Sequence, residues 1–222
     1  MHVRRPQGQL FHAVEGWDTQ RVPPYRDVGA FNDRATGYDG GWRGRLHHAI
    51  CDRTADLAVR TAPSADAILD VGCGTGYLLH VLADRYPNAT RLAGIDAAPQ
   101  MVDVARSIAR DGRLAFTHGV AEELDYPDHA FDLIVSTTSF DHWSDQQAGL
   151  AECARVLRPG GQLVLVDQFS LWLMPTLAAS RKGKARTRRR ADRLLRRAGF
   201  QSPRWHRVHA VIINAVTATA PV

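Results

Sequence analysis

Two groups of residues have the types and the spacing to do chemistry. In the first, Asp70 is followed by Gly72, Gly74 and Gly76, and a second acid, Asp96, lies twenty residues beyond the last glycine. Three glycines in five positions allow a sharp turn and let a ligand approach main-chain amides with no Cβ in the way. Amides opening the following helix can face a polar or negative group. An acid placed like Asp96 suits a ribose diol, because one carboxylate can accept both hydroxyl protons. The second group is Asp141-His142-Trp143. Imidazole titrates near neutral pH and can take a proton from a substrate, with Asp141 orienting the ring or binding the substrate. The plainer alternative is a packed, hydrogen-bonded histidine beside a tryptophan.

Both groups fall where strands end. Ala67–Val71 is an apolar run that reads as a buried strand, and Tyr77, Leu78, Leu79, Val81 and Leu82 open a helix after the turn. Further strands are expected over Arg91–Asp96, Ala115–His118, Phe131–Ser136, Gln162–Asp167, Trp205–Val208 and Val211–Thr217, the last two as a hairpin. Helices are expected over Trp42–Thr61, Met101–Ala109 opened by Pro99, Gln146–Val156, and Thr187–Ala198 closed by Gly199. In an open parallel sheet, the carboxyl ends of the strands form the ligand crevice.

The glycine spacing sharpens the reading. A dinucleotide fingerprint runs Gly-x-Gly-x-x-Gly, one residue wider than the Gly-x-Gly-x-Gly found here, though a dinucleotide turn or a structural turn stays open as an alternative. With Asp70 directly before it, the motif resembles that of the class I S-adenosylmethionine-dependent methyltransferases. Phe31 through Ala35 to Tyr38-Asp39, the His142-Trp143 segment, and Arg155-Val156-Leu157-Arg158-Pro159-Gly160-Gly161 resemble the small-molecule, ubiquinone- and menaquinone-biosynthesis-like group of that family. The resemblance implies an α/β fold: a Rossmann-like, doubly wound, seven-stranded sheet, mostly parallel with the last strand antiparallel, and helices on both faces. It implies S-adenosylmethionine as cofactor, leaving as S-adenosylhomocysteine. The implied cofactor residues are Asp70, Gly72, Cys73, Gly74, Gly76, Asp96, Ala97, Met101, Val120, Ala121, Glu122 and Thr137, with Tyr38 closing over the methionine end. Val120 departs from the family, which commonly has an aspartate there to accept from the adenine amino group. One neutral hydrogen bond is worth on the order of 1 kcal/mol, too little to abolish binding. His142 and Asp141 are the catalytic candidates, and no metal is expected. His47 and His48 point in different directions on their helix, so at most one faces a site, and an exposed pair is the simpler reading.

Length and composition bound the rest. A chain of 222 residues fits one methyltransferase domain over 31–222, preceded by an extension or lid over 1–30. Phe169, Leu171, Trp172, Leu173 and Met174 fall in a segment, 168–186, that reads as an apolar and basic insertion covering the substrate. No apolar run is long enough to span a bilayer, and no signal peptide is visible. Cys51, Cys73 and Cys153 are widely spaced, which argues for reduced thiols, a cytoplasmic protein and no structural zinc. Between Arg181 and Arg197 stand ten basic residues and one acid in a chain of net charge +5, so the remainder is net acidic. That stretch is either a solvated helix face or a track for nucleic acid. Only two lysines are present, Lys182 and Lys184, and no Asn-Pro-Pro-aromatic motif follows the fourth strand, which weakens a nucleic-acid acceptor. The leading expectation is methyl transfer to an O, N or C atom of a small-molecule metabolite by a monomer or homodimer. The alternatives are an RNA methyltransferase using the arginine-rich segment, and a cofactor-binding protein or cyclase that does not methylate.

Overall fold

The structure is a computed structural model and describes residues 27–169, 187–210 and 212–222. Most of the 1–30 extension, the 168–186 cover beyond Phe169, and the basic residues before Thr187 lie outside the described residues. The elements in chain order are α1 (Val28–Asn32), a 3-10 turn (Ala35–Gly37), α2 (Gly41–Thr61), β1 (Ala67–Val71), α3 (Tyr77–Arg85), β2 (Arg91–Asp96), α4 (Pro99–Ile108), β3 (Leu114–His118) and β4 (Phe131–Thr137). A second 3-10 turn (Phe140–His142), α5 (Gln146–Val156), β5 (Leu157–Asp167), α6 (Arg188–Arg197), β6 (Gln201–His209) and β7 (Ile213–Thr219) follow.

The seven strands form one sheet in the order β3-β2-β1-β4-β5-β7-β6. β1 to β5 pair in parallel, and β7 runs antiparallel between β5 and β6. This is the fold expected from the motif order. β1 sits centrally with all five residues buried, as a strand covered on both faces must be. Alternate residues serve opposite faces: Leu69 and Val71 pack with Leu150 and Cys153 of α5 and Leu194 and Leu195 of α6. Ile68 packs with Ile50 and Leu57 of α2, Leu79 of α3 and Val102 of α4. Asp70, one period from Ile68, therefore projects toward the α2–α3 side.

Two boundaries moved by more than two residues. β5 begins at Leu157, because Leu157 already pairs with Phe131 of β4 and the ladder resumes at Gln162 opposite Leu133, leaving Arg158-Pro159-Gly160-Gly161 in the irregularity between them. β6 begins at Gln201 because the antiparallel ladder to β7 continues to Thr219. Gln146–Val156 forms as expected, capped by the Asp145 carboxylate accepting from the amides of Gln147 and Ala148.

Candidate active site

A cleft with an empty volume of about 880 Å3 opens at the carboxyl ends of β1, β2 and β4. Its floor is the turn after β1. Gly72, Gly74 and Gly76 all have positive φ (79°, 53° and 85°), which side-chain-bearing residues rarely adopt. They differ in what surrounds them. A Cβ on Gly72 would lie 2.2 Å from Ser139 Oγ, whereas one on Gly74 would project into open space, and one on Gly76 would strike the Phe116 ring at 2.7 Å. Gly74 is thus the place where a ligand can come down onto bare backbone. Gly76 faces the core, and it does not line the cleft.

The turn's amides are used within the protein, contrary to the expectation that they face a ligand. Gly72 N–H and Cys73 N–H both donate to Ile95 O (2.8 and 3.0 Å), and Gly76 N–H donates to Cys73 O (2.9 Å). Gly74 N–H donates to Asp96 Oδ2 at 2.8 Å, while Ala98 N–H donates to Asp96 Oδ1 at 2.8 Å. Asp96 is therefore clamped between the two loops, with each oxygen keeping a lone pair for a ligand.

Asp70 is 2 % exposed, and its Oδ1 has no hydrogen-bond partner. Burial, with the Asp96 charge nearby, pushes its carboxyl up to about 8. Burial also raises Asp96, against the two amides that stabilise its charged form. No arginine or lysine is found among the described residues lining the cleft; the charged or titratable side chains there are Asp27, Asp70, Asp96, His47, His142 and the cysteines and tyrosine named below. A buried acid and a half-buried one, with no arginine or lysine lining the cleft beside them, make a site short of positive charge.

The walls place the remaining predicted residues. Tyr38, Cys73, Ala97, Met101, Val120, Ala121 and Thr137 all line the cleft; Glu122 and Asp141 do not. Glu122 Oε1 instead accepts from Asp145 N–H (2.9 Å), bracing the start of α5. The 120–126 loop is fastened from below: Arg155 donates to Leu124 O and Tyr126 O, both at 2.8 Å, and Glu152 Oε2 accepts from Leu124 N–H at 2.9 Å. Val120 is buried and presents an apolar surface to its end of the cleft.

At the opposite rim, His142 is held by two carboxylates. Its Nδ1 lies 2.9 Å from Asp27 Oδ2, and its Nε2 lies 3.3 Å from Asp141 Oδ1. Phe31 of α1 packs edge-on to the same ring at 5.0 Å. Asp141 N–H donates to Asp167 Oδ2 (3.1 Å), and burial beside the Asp141 charge raises Asp167 to about 7. The exposed-pair reading of the other histidines does not hold. His47 lines the cleft, edge-on to Tyr38 at 5.2 Å, while His48 stacks on Tyr77 at 3.7 Å and bonds Asp39 Oδ1 at 2.8 Å.

Sequence reasoning named Phe31 and Trp143 only as parts of motifs and gave no site role to Asp27, Cys51, Thr138 or Ser139, yet all six line the cleft. Ser139 Oγ donates to Val71 O (3.0 Å) and accepts from Trp143 Nε1 (3.3 Å), which explains why residue 72 must lack a Cβ. Thr138 has φ of 54°, a strained conformation at a strand end beside a cleft. A polar run after the fourth strand was its one visible signal.

Comparison with known proteins agrees with this geometry. Residues 68–161 match the family described as a methyltransferase domain. A demethylmenaquinone methyltransferase of Deinococcus radiodurans is 39% identical over 133 residues, covering 59% of this chain and 51% of that protein. The O-methyltransferase cnsE of Penicillium expansum is 38% identical over 169 residues, covering 73% and 58%. The chain thus spans about half the length of the curated relatives it matches. A solved 4+2 cyclase, SpnF, superposes with a TM-score of 0.65 at 23% identity, covering 77% of this chain and 81% of that one, which speaks to the fold alone. No helix among the described residues is long and apolar enough to cross a membrane. The glycine turn, the strand order and the matching relatives together mark residues 68–161 as a methyltransferase domain.

Proposed function

We propose that the chain binds S-adenosylmethionine in this cleft and transfers its methyl group to an oxygen, nitrogen or carbon atom of a small-molecule acceptor. One observation carries the reading: a buried carboxyl with an unpartnered oxygen, a half-buried carboxylate beside it, and no arginine or lysine among the described residues lining the cleft around them. A cofactor bearing an ammonium and a sulfonium supplies the missing charge, whereas a pyrophosphate would add to the repulsion. Asp96 retains the lone pairs for a ribose diol, Gly74 offers bare backbone, and Val120 and Met101 offer apolar contact for a purine. Tyr38 covers the Asp70 end. The bound cofactor supplies an electrophilic methyl carbon, so the protein's part is to hold an acceptor in line with it and exclude water. The relatives' names, a quinone methyltransferase and an O-methyltransferase, support a small organic acceptor with a hydroxyl or acidic carbon.

Calorimetric titration with S-adenosylmethionine and with S-adenosylhomocysteine tests this. Micromolar binding of both is expected, and absence of binding to either overturns the reading. A second reading, RNA as acceptor, has one feature in its favour: Arg189, Arg190, Arg193, Arg196 and Arg197 stand exposed on α6, whose buried face is only Ala191, Leu194 and Leu195. Steeply salt-dependent RNA binding that vanishes when these arginines become alanine would favour it.

A further inference from the structure

The cleft holds two imidazoles, and their surroundings differ in a way that bears on proton transfer. His142 has a carboxylate oxygen against each ring nitrogen, Asp27 on one side and Asp141 on the other. Nδ1 is hydrogen-bonded to Asp27, while Nε2 stands 3.3 Å from the Asp141 carboxylate in a charge contact, so an acceptor reaching Nε2 meets a carboxylate beside it. His47 has no carboxylate on its ring: its one hydrogen-bonding neighbour among the described residues is the Cys51 thiol, 3.8 Å from both ring nitrogens, a weak donor and a weak acceptor. A neutral imidazole carries its proton on one nitrogen and a lone pair on the other, and here no strong donor competes for that lone pair.

Resting on the methyltransferase reading above, we infer that His47, and not His142, is the base that takes the acceptor's proton. His47 stands in the second turn of α2, on the sheet face toward which Asp70 projects, and edge-on to Tyr38. That is the end of the cleft where the cofactor's methionine part and its methyl are expected. Cys51, one helical turn on, lines the same wall, and its thiol is close enough to Asp70 for that charge to push it further up. The step balances simply. The acceptor oxygen forms a bond to the methyl carbon, and the carbon–sulfur bond breaks with its electron pair staying on sulfur. The acceptor's proton passes to the free nitrogen of His47 and then to solvent.

The groups around the ring support an unprotonated base. Burial lowers His47 below the usual histidine range, and the His48 ring acts in the same direction. The Asp39 carboxylate acts the other way, but it is bonded to His48 Nε2 at 2.8 Å. Tyr38 and Cys51, the remaining titratable neighbours, are both neutral near pH 7, since burial pushes Tyr38 up to about 12 and Cys51 well above its ordinary value. His142 is left to fasten α1 across the cleft mouth, a positioning task.

The test uses the full chain. An NMR pH titration of the imidazole Cε1–H signals, assigned by His47→Gln, is expected to show His47 titrating below the free-histidine value of about 6.5. With catechol as probe acceptor, whose hydroxyls are protonated near pH 7, and labelled S-adenosylmethionine as donor, His47→Gln is expected to lower kcat about 100-fold, as loss of a general base does. Cofactor affinity should stay within about three-fold, the residual rate should climb with pH, and added imidazole should restore part of it. A His47 that is protonated at pH 7 overturns the inference whether or not the probe is turned over. So does a His47→Gln enzyme that keeps kcat within three-fold on any acceptor the wild type methylates. A wild type that binds no S-adenosylmethionine sinks the methyltransferase reading instead, and the two failures are told apart by the titration.

Discussion

The two ends of the cleft are built differently. The floor, from Asp70 through the glycine turn to Asp96, is made by one continuous β1–turn–α3–β2 unit, and nearly every contact in it is backbone to backbone or carboxylate to backbone. The rim is assembled from side chains far apart in sequence: Asp27 meets His142 across 115 residues, and Tyr38 and His47, packed on each other, line the same cleft from a third segment. A floor made of backbone is rigid and tolerates little change. A rim made of side chains can be retuned one residue at a time, which suits a fold whose acceptors vary among relatives.

The largest expected effect is on the floor. Gly72→Ala puts a Cβ into Ser139 at a positive φ, so it should destabilise the protein by about 2–4 kcal/mol and remove measurable cofactor binding. Thermal melting and calorimetry check both. If Gly72→Ala melts like the wild type, the close approach of Ser139 to this turn is wrong. An intermediate effect is expected at the rim. Asp27→Asn removes the charged contact of α1 with His142, and should weaken cofactor retention by about five-fold, seen as faster release in stopped-flow, with thermal stability nearly unchanged. An unchanged release rate would mean that α1 does not cover the cleft. The smallest effect is expected at Val120. Val120→Asp supplies the acid that the family resemblance leads one to expect there, and one neutral-partner hydrogen bond should alter affinity by about five-fold or less. A hundred-fold gain would mean that the adenine end had been left unsatisfied.

The same contrast explains what could be read in advance. The floor was legible because its signal is local: an apolar strand, glycines at fixed spacing, a second strand ending in an acid. Even there, two inferences needed the folded chain. The amides of Gly72, Cys73 and Gly76 are taken by neighbouring carbonyls, and Gly76 is a glycine for the sake of Phe116, which comes from β3. The rim was legible only in part. His142 stood out as a histidine at a strand end, but its two carboxylate partners depend on how α1 lies across the sheet. His47 was passed over because two adjacent histidines on an amphipathic helix give no clue to which one stacks on Tyr77 and which one faces a cavity. Glu122 looked like part of the cofactor loop, yet its carboxylate turned to cap a neighbouring amide instead.

The account rests on Asp70 being an unpartnered acid that awaits a cationic ligand. Burial, with the Asp96 charge nearby, pushes its folded carboxyl from the ordinary 3.8 up to about 8, so ionising it costs the unliganded protein stability as pH rises from about 4 through 8. A cofactor that needs the ionised form must therefore displace a proton when it binds below pH 8. The decisive measurement is the affinity for S-adenosylmethionine by calorimetry from pH 6 to pH 9, in the wild type and in Asp70→Asn. The wild type should bind more tightly by up to about ten-fold per pH unit, levelling off near pH 8, with proton release in buffers of different ionisation heat. Asp70→Asn should bind about 100-fold more weakly, without that pH dependence, and its unliganded form should gain thermal stability at pH 8. Equal affinity in the two proteins, with the same pH profile, would contradict the account.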